Sequence, residues 1–165
     1  MYPEINHFVN LLHKNNISSF LVTNAQFPEA IENLEPVTQL YVSIDASTKD
    51  SLKKIDRPLF RDFWERFLSS LDAIKLKQQR TVYRLTLVKG FNTAELKDYA
   101  DLVKRGEPDF IEVKGVTYCG FSEASNLTMK NVPYHQEVVE FVRTFNELIG
   151  GDYELACEHG MCLFG

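Results

Sequence analysis

The chain has 165 residues, 44% of them hydrophobic and 25% charged, which suffices for one globular domain with a sizeable core and leaves no composition shift to mark a second. A net charge of −5 excludes a surface that is basic throughout, so any contact with nucleic acid needs a local patch. No apolar run reaches membrane-spanning length, Met1-Tyr2-Pro3-Glu4 lacks the basic and apolar regions of a signal peptide, and three cysteines give no disulfide framework; a cytoplasmic protein without a membrane role is expected.

Periodicity then orders the elements. Pro3 to Asn15 is predicted helical, with Ile5, Phe8, Val9 and Leu12 at helical spacing. Ser18 to Asn24 is a short strand, Pro28 to Leu34 a short helix, and Gln39 to Asp45 a strand in which Leu40, Val42 and Ile44 alternate with Tyr41, Ser43 and Asp45. Asp56-Arg57-Pro58 opens a long helix with the apolar stripe Phe60, Phe63, Trp64, Phe67, Leu71 and Ile74. Lys75, Lys77 and Arg80 gather near its C-terminal end, where the helix dipole favours cations. Thr81 to Lys89 is a strand, Ala94 to Lys104 a helix, and Asp109 onward a strand running into Gly115. A helix carrying Val138, Phe141, Val142, Phe145 and Leu148 ends at Gly150-Gly151, and Tyr153 to Cys157 is a last candidate strand. Strand and helix alternate, which implies an α/β fold with a parallel sheet and right-handed crossovers. A closed barrel of this kind needs about 250 residues. The chain opens on a helix without a preceding strand and stops in the apolar run Met161 to Gly165, so both ends look cut and an uncovered sheet edge prone to self-association is expected.

Chemistry gathers at the C-terminal ends of strands in such folds. Here those ends carry Thr23 and Asn24; Ser43 and Asp45; Arg84, Thr86, Lys89 and Asn92; and Glu112 and Lys114. Two charges two residues apart on a strand share a face, so Glu112 and Lys114 mark either a salt-bridged solvated edge or the lining of a site. Four polar strand ends together favour a polar site, because buried charge requires partners. Lys89 or Lys114 has the chemistry for a Schiff base with a carbonyl substrate. Cys157-x-His159-x-x-Cys162 has metal-ligand residue types without a fourth ligand nearby, so no metal site is assigned.

Several long stretches carry a resemblance: Gln39 to Lys49, Leu52 to Phe60, Tyr83 to Lys89 and Phe110 to Gly120. They resemble the C-terminal catalytic half of the eukaryotic tRNA 4-demethylwyosine synthase family, radical S-adenosylmethionine (SAM) enzymes of wybutosine biosynthesis. The resemblance implies a partial (βα) TIM-like barrel of the radical SAM type lacking its first two strands, with residues 1–165 as the C-terminal portion of the barrel domain. It implies a lyase that joins carbons of pyruvate to N1-methylguanosine of tRNA-Phe, using a 4Fe–4S cluster and SAM. The family's C-x-x-x-C-x-x-C cluster motif, the Gly-Gly-Glu-type motif of its second strand and its flavodoxin-like domain are absent from this sequence, and Tyr2-Pro3-Glu4 is similar to the segment just past the second motif.

By resemblance, Thr23, Asn24, Ser43, Asp45, Arg84 and Asn92 fall where the family contacts cofactor and substrate, and Lys89, Glu112 and Lys114 are the candidate catalytic groups. A fragment inactive alone is the first reading. A non-catalytic truncated barrel that acts as a binding module is the second, and a stand-alone lysine-dependent aldolase the third.

Overall fold

The computed structural model describes residues 2–121 and 126–159. In chain order the elements are α1 (Ile5–Lys14), β1 (Phe20–Thr23), α2 (Pro28–Glu32), β2 (Gln39–Ser43), α3 (Lys49–Asp56), α4 (Phe63–Lys75), β3 (Thr81–Leu87), α5 (Leu96–Gly106), β4 (Phe110–Gly115), a 3₁₀ turn (Met129–Asn131) and α6 (His135–Leu148). The four strands are all parallel and lie in the order β1-β2-β3-β4, the same as their order in the chain. Each crossover places helix on one face of the sheet, and that repeated βα step is the unit of a barrel wall.

The two faces of the sheet differ because side chains alternate along each strand. Leu40, Val42 and Ile44 of β2 and its exit, with Tyr83, Leu85 and Leu87 of β3, are buried against the helices. Phe63, Phe67, Leu71 and Ile74 of α4, Tyr99 and Val103 of α5, and Phe141 and Phe145 of α6 form the facing layer. Tyr99 meets Phe141 and Phe145 edge-on at ring separations of 6.1 and 6.5 Å. The opposite face grades along the strand direction. Register sets Val22, Tyr41, Val82 and Phe110 across its N-terminal layer, with Phe20 stacked on Tyr41 at 4.4 Å. Polar and charged groups follow toward the C-terminal ends. β1 and β4 are the two edges of the described sheet, and Phe20 and Val22 of β1 are exposed.

Two expectations are corrected. Residues 49–56 form a separate helix, α3, and Asp56 ends it rather than opening the next; Arg57 sits in the left-handed region at φ 47° and α4 begins at Phe63. Thr48 caps α3 by accepting a hydrogen bond from the Ser51 N–H at 3.3 Å. Tyr153 to Cys157 is not a strand. Instead the Tyr153 hydroxyl donates to the Pro108 carbonyl at 2.6 Å, tying this segment beneath the start of β4. The basic residues after α4 are structural: Lys75 pairs with Glu107, Arg80 lies over the Phe110 ring, and Lys77 donates to the carbonyls of Glu32 and Leu34, serving the C-terminal end of α2.

The tightest packing point joins β3 to the end of α5. A Cβ added at Gly106 would overlap the Tyr83 hydroxyl, which is buried without a hydrogen-bond partner. Tyr83→Phe is therefore expected to leave thermal stability unchanged or raise it, since it removes an unpaired buried polar atom. Gly106→Ala is expected to destabilise by about 1–3 kcal/mol through overpacking, and by less in the Tyr83→Phe background. A urea-unfolding double-mutant cycle checks both signs.

Candidate functional site

The polar face of the sheet assembles in two rows. Backbone register places Ser43 beside Arg84 and Arg84 beside Glu112, so one row runs Ser43–Arg84–Glu112 across three strands. Thr86 lies beside Lys114. Asp45 is two residues past Ser43 on the same face, and its carboxylate accepts a hydrogen bond from Thr86, so the second row runs Asp45–Thr86–Lys114. Both rows sit at the C-terminal ends of the strands, where a βα barrel carries its chemistry.

Arg84 is the centre of this array. Its Nε is buried with no hydrogen-bond partner and lies 3.7 Å from Glu112 Oε1, within ion-pair range but too far for a hydrogen bond. Tyr41, one layer below, hydrogen-bonds Glu112; its pKa is raised first by burial and then by the Glu112 charge and hydrogen bond, against the opposing pull of Arg84. Burial also raises the Asp45 pKa, while Arg84, Lys114 and the Thr86 hydrogen bond pull it back down. A desolvated carboxylate facing two cations, beside an arginine donor left over, is an arrangement that accepts a zwitterionic or anionic polar ligand.

The remaining sequence-derived site residues fall elsewhere. Asn92 is fully buried, and its side chain serves the main chain: Nδ2 donates to the carbonyls of Asp45 and Thr86 at 2.8 and 2.9 Å, and Oδ1 accepts from the Val88 N–H at 2.7 Å. It has no group left for a cofactor and instead locks the turn after β2 to the end of β3. Lys89 lies just past β3, paired with Glu137 at the start of α6 and 5.6 Å above the Tyr134 ring. The Thr23 hydroxyl caps its own turn by accepting from the Ala25 N–H at 3.2 Å, and Asn24 is exposed at the sheet edge. Thus Ser43, Asp45, Arg84, Glu112 and Lys114 come together, and Thr23, Asn24, Lys89 and Asn92 do not join them.

Sequence reading missed Glu95. Its carboxylate accepts from the hydroxyls of Ser47 at 2.7 Å, Thr48 at 3.4 Å and Ser51, binding the entry of α3 to that of α5. Burial raises its pKa, but the hydroxyl hydrogen bonds outweigh that and leave it below the usual carboxylate range. The run Ser47-Thr48-x-x-Ser51 was the available signal, since small hydroxyls at a helix start seek an acceptor. Among the described residues no group of three or more His, Cys, Asp or Glu side chains is placed to hold a metal ion. Cys119 and Cys157 are free and exposed; Cys162 lies outside the described residues. The cysteine spacing is not that of a three-ligand cluster loop, so these residues do not fit an iron–sulfur cluster, whereas the unpartnered arginine beside a desolvated carboxylate does fit a polar organic cofactor.

Asp56, at the end of α3, is pushed up to about 6 by burial and by the charge of Asp45. A raised carboxylate pKa means that the folded state holds the proton more tightly than the unfolded one, so stability falls as pH climbs from the unfolded value to the folded one. Asp56 is an exposed residue overall, and solvent screening reduces the energy strongly but leaves its sign. Asp56→Asn is expected to gain stability over the parent between about pH 4 and 7, with little difference at the acid end. Urea midpoints across that range measure it; a difference that shrinks with rising pH contradicts the assignment.

Comparison with known proteins identifies relatives of the chain. A family model for the radical SAM superfamily matches residues 1–103, and one for wyosine base formation matches residues 105–160. The chain is 74% identical over 159 residues to the S-adenosyl-L-methionine-dependent tRNA 4-demethylwyosine synthase TYW1 of Xenopus laevis, covering 96% of this chain and 22% of that protein. The corresponding figures for the Homo sapiens TYW1 are 72%, 96% and 22%, and for the Arabidopsis thaliana synthase 64%, 96% and 25%. The chain thus spans about a quarter or less of the length of these relatives. A solved structure described as TYW1 with a lysine-pyruvate adduct bound superposes with a TM-score of 0.80 at 30% identity, over 88% of this chain and 46% of that one. The four-stranded sheet is accordingly part of a TIM-like barrel of the radical SAM type. With residues 1–103 of its 165 inside that superfamily's model and its fold shared with a solved TYW1, the chain belongs to the radical SAM superfamily.

Proposed function

We propose that this chain is the C-terminal portion of the catalytic barrel of a tRNA 4-demethylwyosine synthase, a cytoplasmic lyase that condenses pyruvate carbons with N1-methylguanosine of tRNA-Phe. The observation that carries the reading is the Arg84-centred array on the inner face of the sheet, found in a chain 74% identical to a protein bearing that name. When bound, SAM with a 4Fe–4S cluster supplies a 5′-deoxyadenosyl radical. The cluster's ligands and the flavodoxin-like domain belong to other parts of such an enzyme, so residues 1–165 are inactive alone.

The geometry divides the work among this chain's own residues. Ser43, Asp45 and Arg84 offer an acceptor, a carboxylate and a guanidinium suited to the polar ends of SAM. Glu112 orients Arg84 and accepts from Tyr41. Lys114 lies beside Thr86 with its charge reaching Asp45, a position suited to a cationic anchor for a substrate carboxylate such as that of pyruvate. Lys89, held by Glu137 and Tyr134, fixes α6 against the strand end.

The test is a chimera in which this chain replaces the 159-residue stretch it matches in the Xenopus laevis enzyme. The chimera is expected to form 4-demethylwyosine. Arg84→Met is expected to abolish both SAM cleavage and product, Lys114→Met to raise the KM for pyruvate while 5′-deoxyadenosine still forms, and Lys89→Met to act on stability alone. A chimera that folds, binds its cluster and cleaves SAM but makes no product would favour the binding-module reading.

A further inference from the structure

The loop between α3 and α4, Arg57-Pro58-Leu59-Phe60-Arg61, presents an apolar side chain that its own packing does not bury. Leu59 is 96% exposed, the most exposed of the large apolar residues of the described chain. Its neighbour Phe60 is anchored, edge-on to Phe27 at 5.6 Å and beneath the Arg66 guanidinium at 4.2 Å. One side of the loop is thus pinned while the other carries a bare leucine into solvent. Arg57 holds the left-handed backbone at φ 47° directly before Pro58, a conformation that costs on the order of 1 kcal/mol or more for a residue with a Cβ. Arg57 and Arg61 flank the leucine, and Lys53 and Lys54 lie on the turn before it; all four are exposed, and none has an ion-pair partner among the described residues. Their neighbours show that this is not general: Lys49 and Arg66 are paired with Glu65 and Asp62. In a chain of net charge −5, residues 53–61 hold four unpaired cations against the single acid Asp56, a net charge of +3 and a local reversal of field.

The loop also has an address. It starts one residue past Asp56, whose carboxyl interacts with Asp45 of the polar array. α3 follows the C-terminal end of β2, and Glu95 fastens its entry to the same rim. We propose that the Arg57–Arg61 loop, with Lys53 and Lys54, is an RNA-contacting rim: the cations bind phosphates, and Leu59 packs against an unstacked base next to the one delivered to the site. Single-stranded loops are where RNA bases can be splayed out, and cations plus an apolar wedge are the chemistry that holds them there. The proposal rests on the reading that the substrate is a tRNA and adds which surface meets it.

The experiment uses the whole chain and a fluorescein-labelled RNA stem-loop with an unpaired loop, read by fluorescence anisotropy against salt, with heparin as the competing polyanion. Replacing Arg57 and Arg61 together by Gln is expected to weaken binding and to lower the slope of log Kd against log salt by about 0.7 for each arginine. Leu59→Ser is expected to raise Kd by about tenfold, the order expected for losing one buried leucine, with the slope unchanged. Circular dichroism and light scattering confirm that each variant is folded and of parental mass. RNA binding that none of these variants weakens overturns the rim while leaving the tRNA reading intact. A folded chain with no affinity for the stem-loop even at low salt counts against both. Loss of a dimer on Leu59→Ser assigns the leucine to a second copy and overturns the proposal, and equal Leu59-independent binding of heparin reduces the surface to a general polyanion patch.

Discussion

Arg84 is the constraint on which this half-barrel depends. A guanidinium on the inner face of a sheet needs counter-charge, and register supplies it from Glu112 on one side and Asp45 one row above, with the neutral Ser43 on the other side. Each partner is in turn held by something else. Tyr41 hydrogen-bonds Glu112, Thr86 hydrogen-bonds Asp45, and Asn92 grips the main chain on both sides of the pair. What the network does not do is satisfy Arg84 itself, whose Nε has no hydrogen-bond partner. A buried donor without a partner is costly, and on the proposed reading a bound polar ligand would complete it.

The two faces of the sheet divide stability from function. The helix-facing side is close-packed with leucine, valine and aromatic residues and is where cavity or overpacking substitutions register. The inner face is apolar at the N-terminal ends of its strands and charged at their C-terminal ends, so it has a floor and a mouth. The loops at the mouth are fixed by hydroxyl and amide bonds in addition to buried Ala46 and Val88. Glu95 with Ser47, Thr48 and Ser51, and Asn92 with three main-chain groups, do this locally. Directional bonds of this kind hold a turn in register without closing the space above it.

The sheet was legible in the sequence because strand alternation is a local property. Leu40, Val42 and Ile44 against Tyr41, Ser43 and Asp45 give both faces of β2 without knowledge of any neighbour. Ser43, Asp45, Arg84, Glu112 and Lys114 were placed together on that basis and by resemblance. What was not legible depended on distant partners. Lys89 reads as a free strand-end amine until Glu137, 48 residues later, is found beside it. Asn92 reads as a loop amide until its three main-chain partners are seen. α3 was missed because Lys49-Asp50-Ser51-Leu52-Lys53-Lys54-Ile55-Asp56 has too few apolar residues for a stripe; the Thr48 cap was its better signal. Tyr153 to Cys157 had strand-like residues but no sheet edge to join, and the Tyr153 hydrogen bond to Pro108 holds it elsewhere.

On the proposed reading this chain supplies one wall of a radical SAM barrel, and the cluster is held by another part of the polypeptide. Anaerobic iron–sulfur reconstitution tests it most directly, with this chain compared to a longer polypeptide that includes a C-x-x-x-C-x-x-C loop upstream. Only the longer polypeptide is expected to take up iron stoichiometrically and to form 5′-deoxyadenosine from SAM. Stoichiometric uptake of a cluster by residues 1–165 alone would make ligands of Cys119, Cys157 and Cys162 and contradict it.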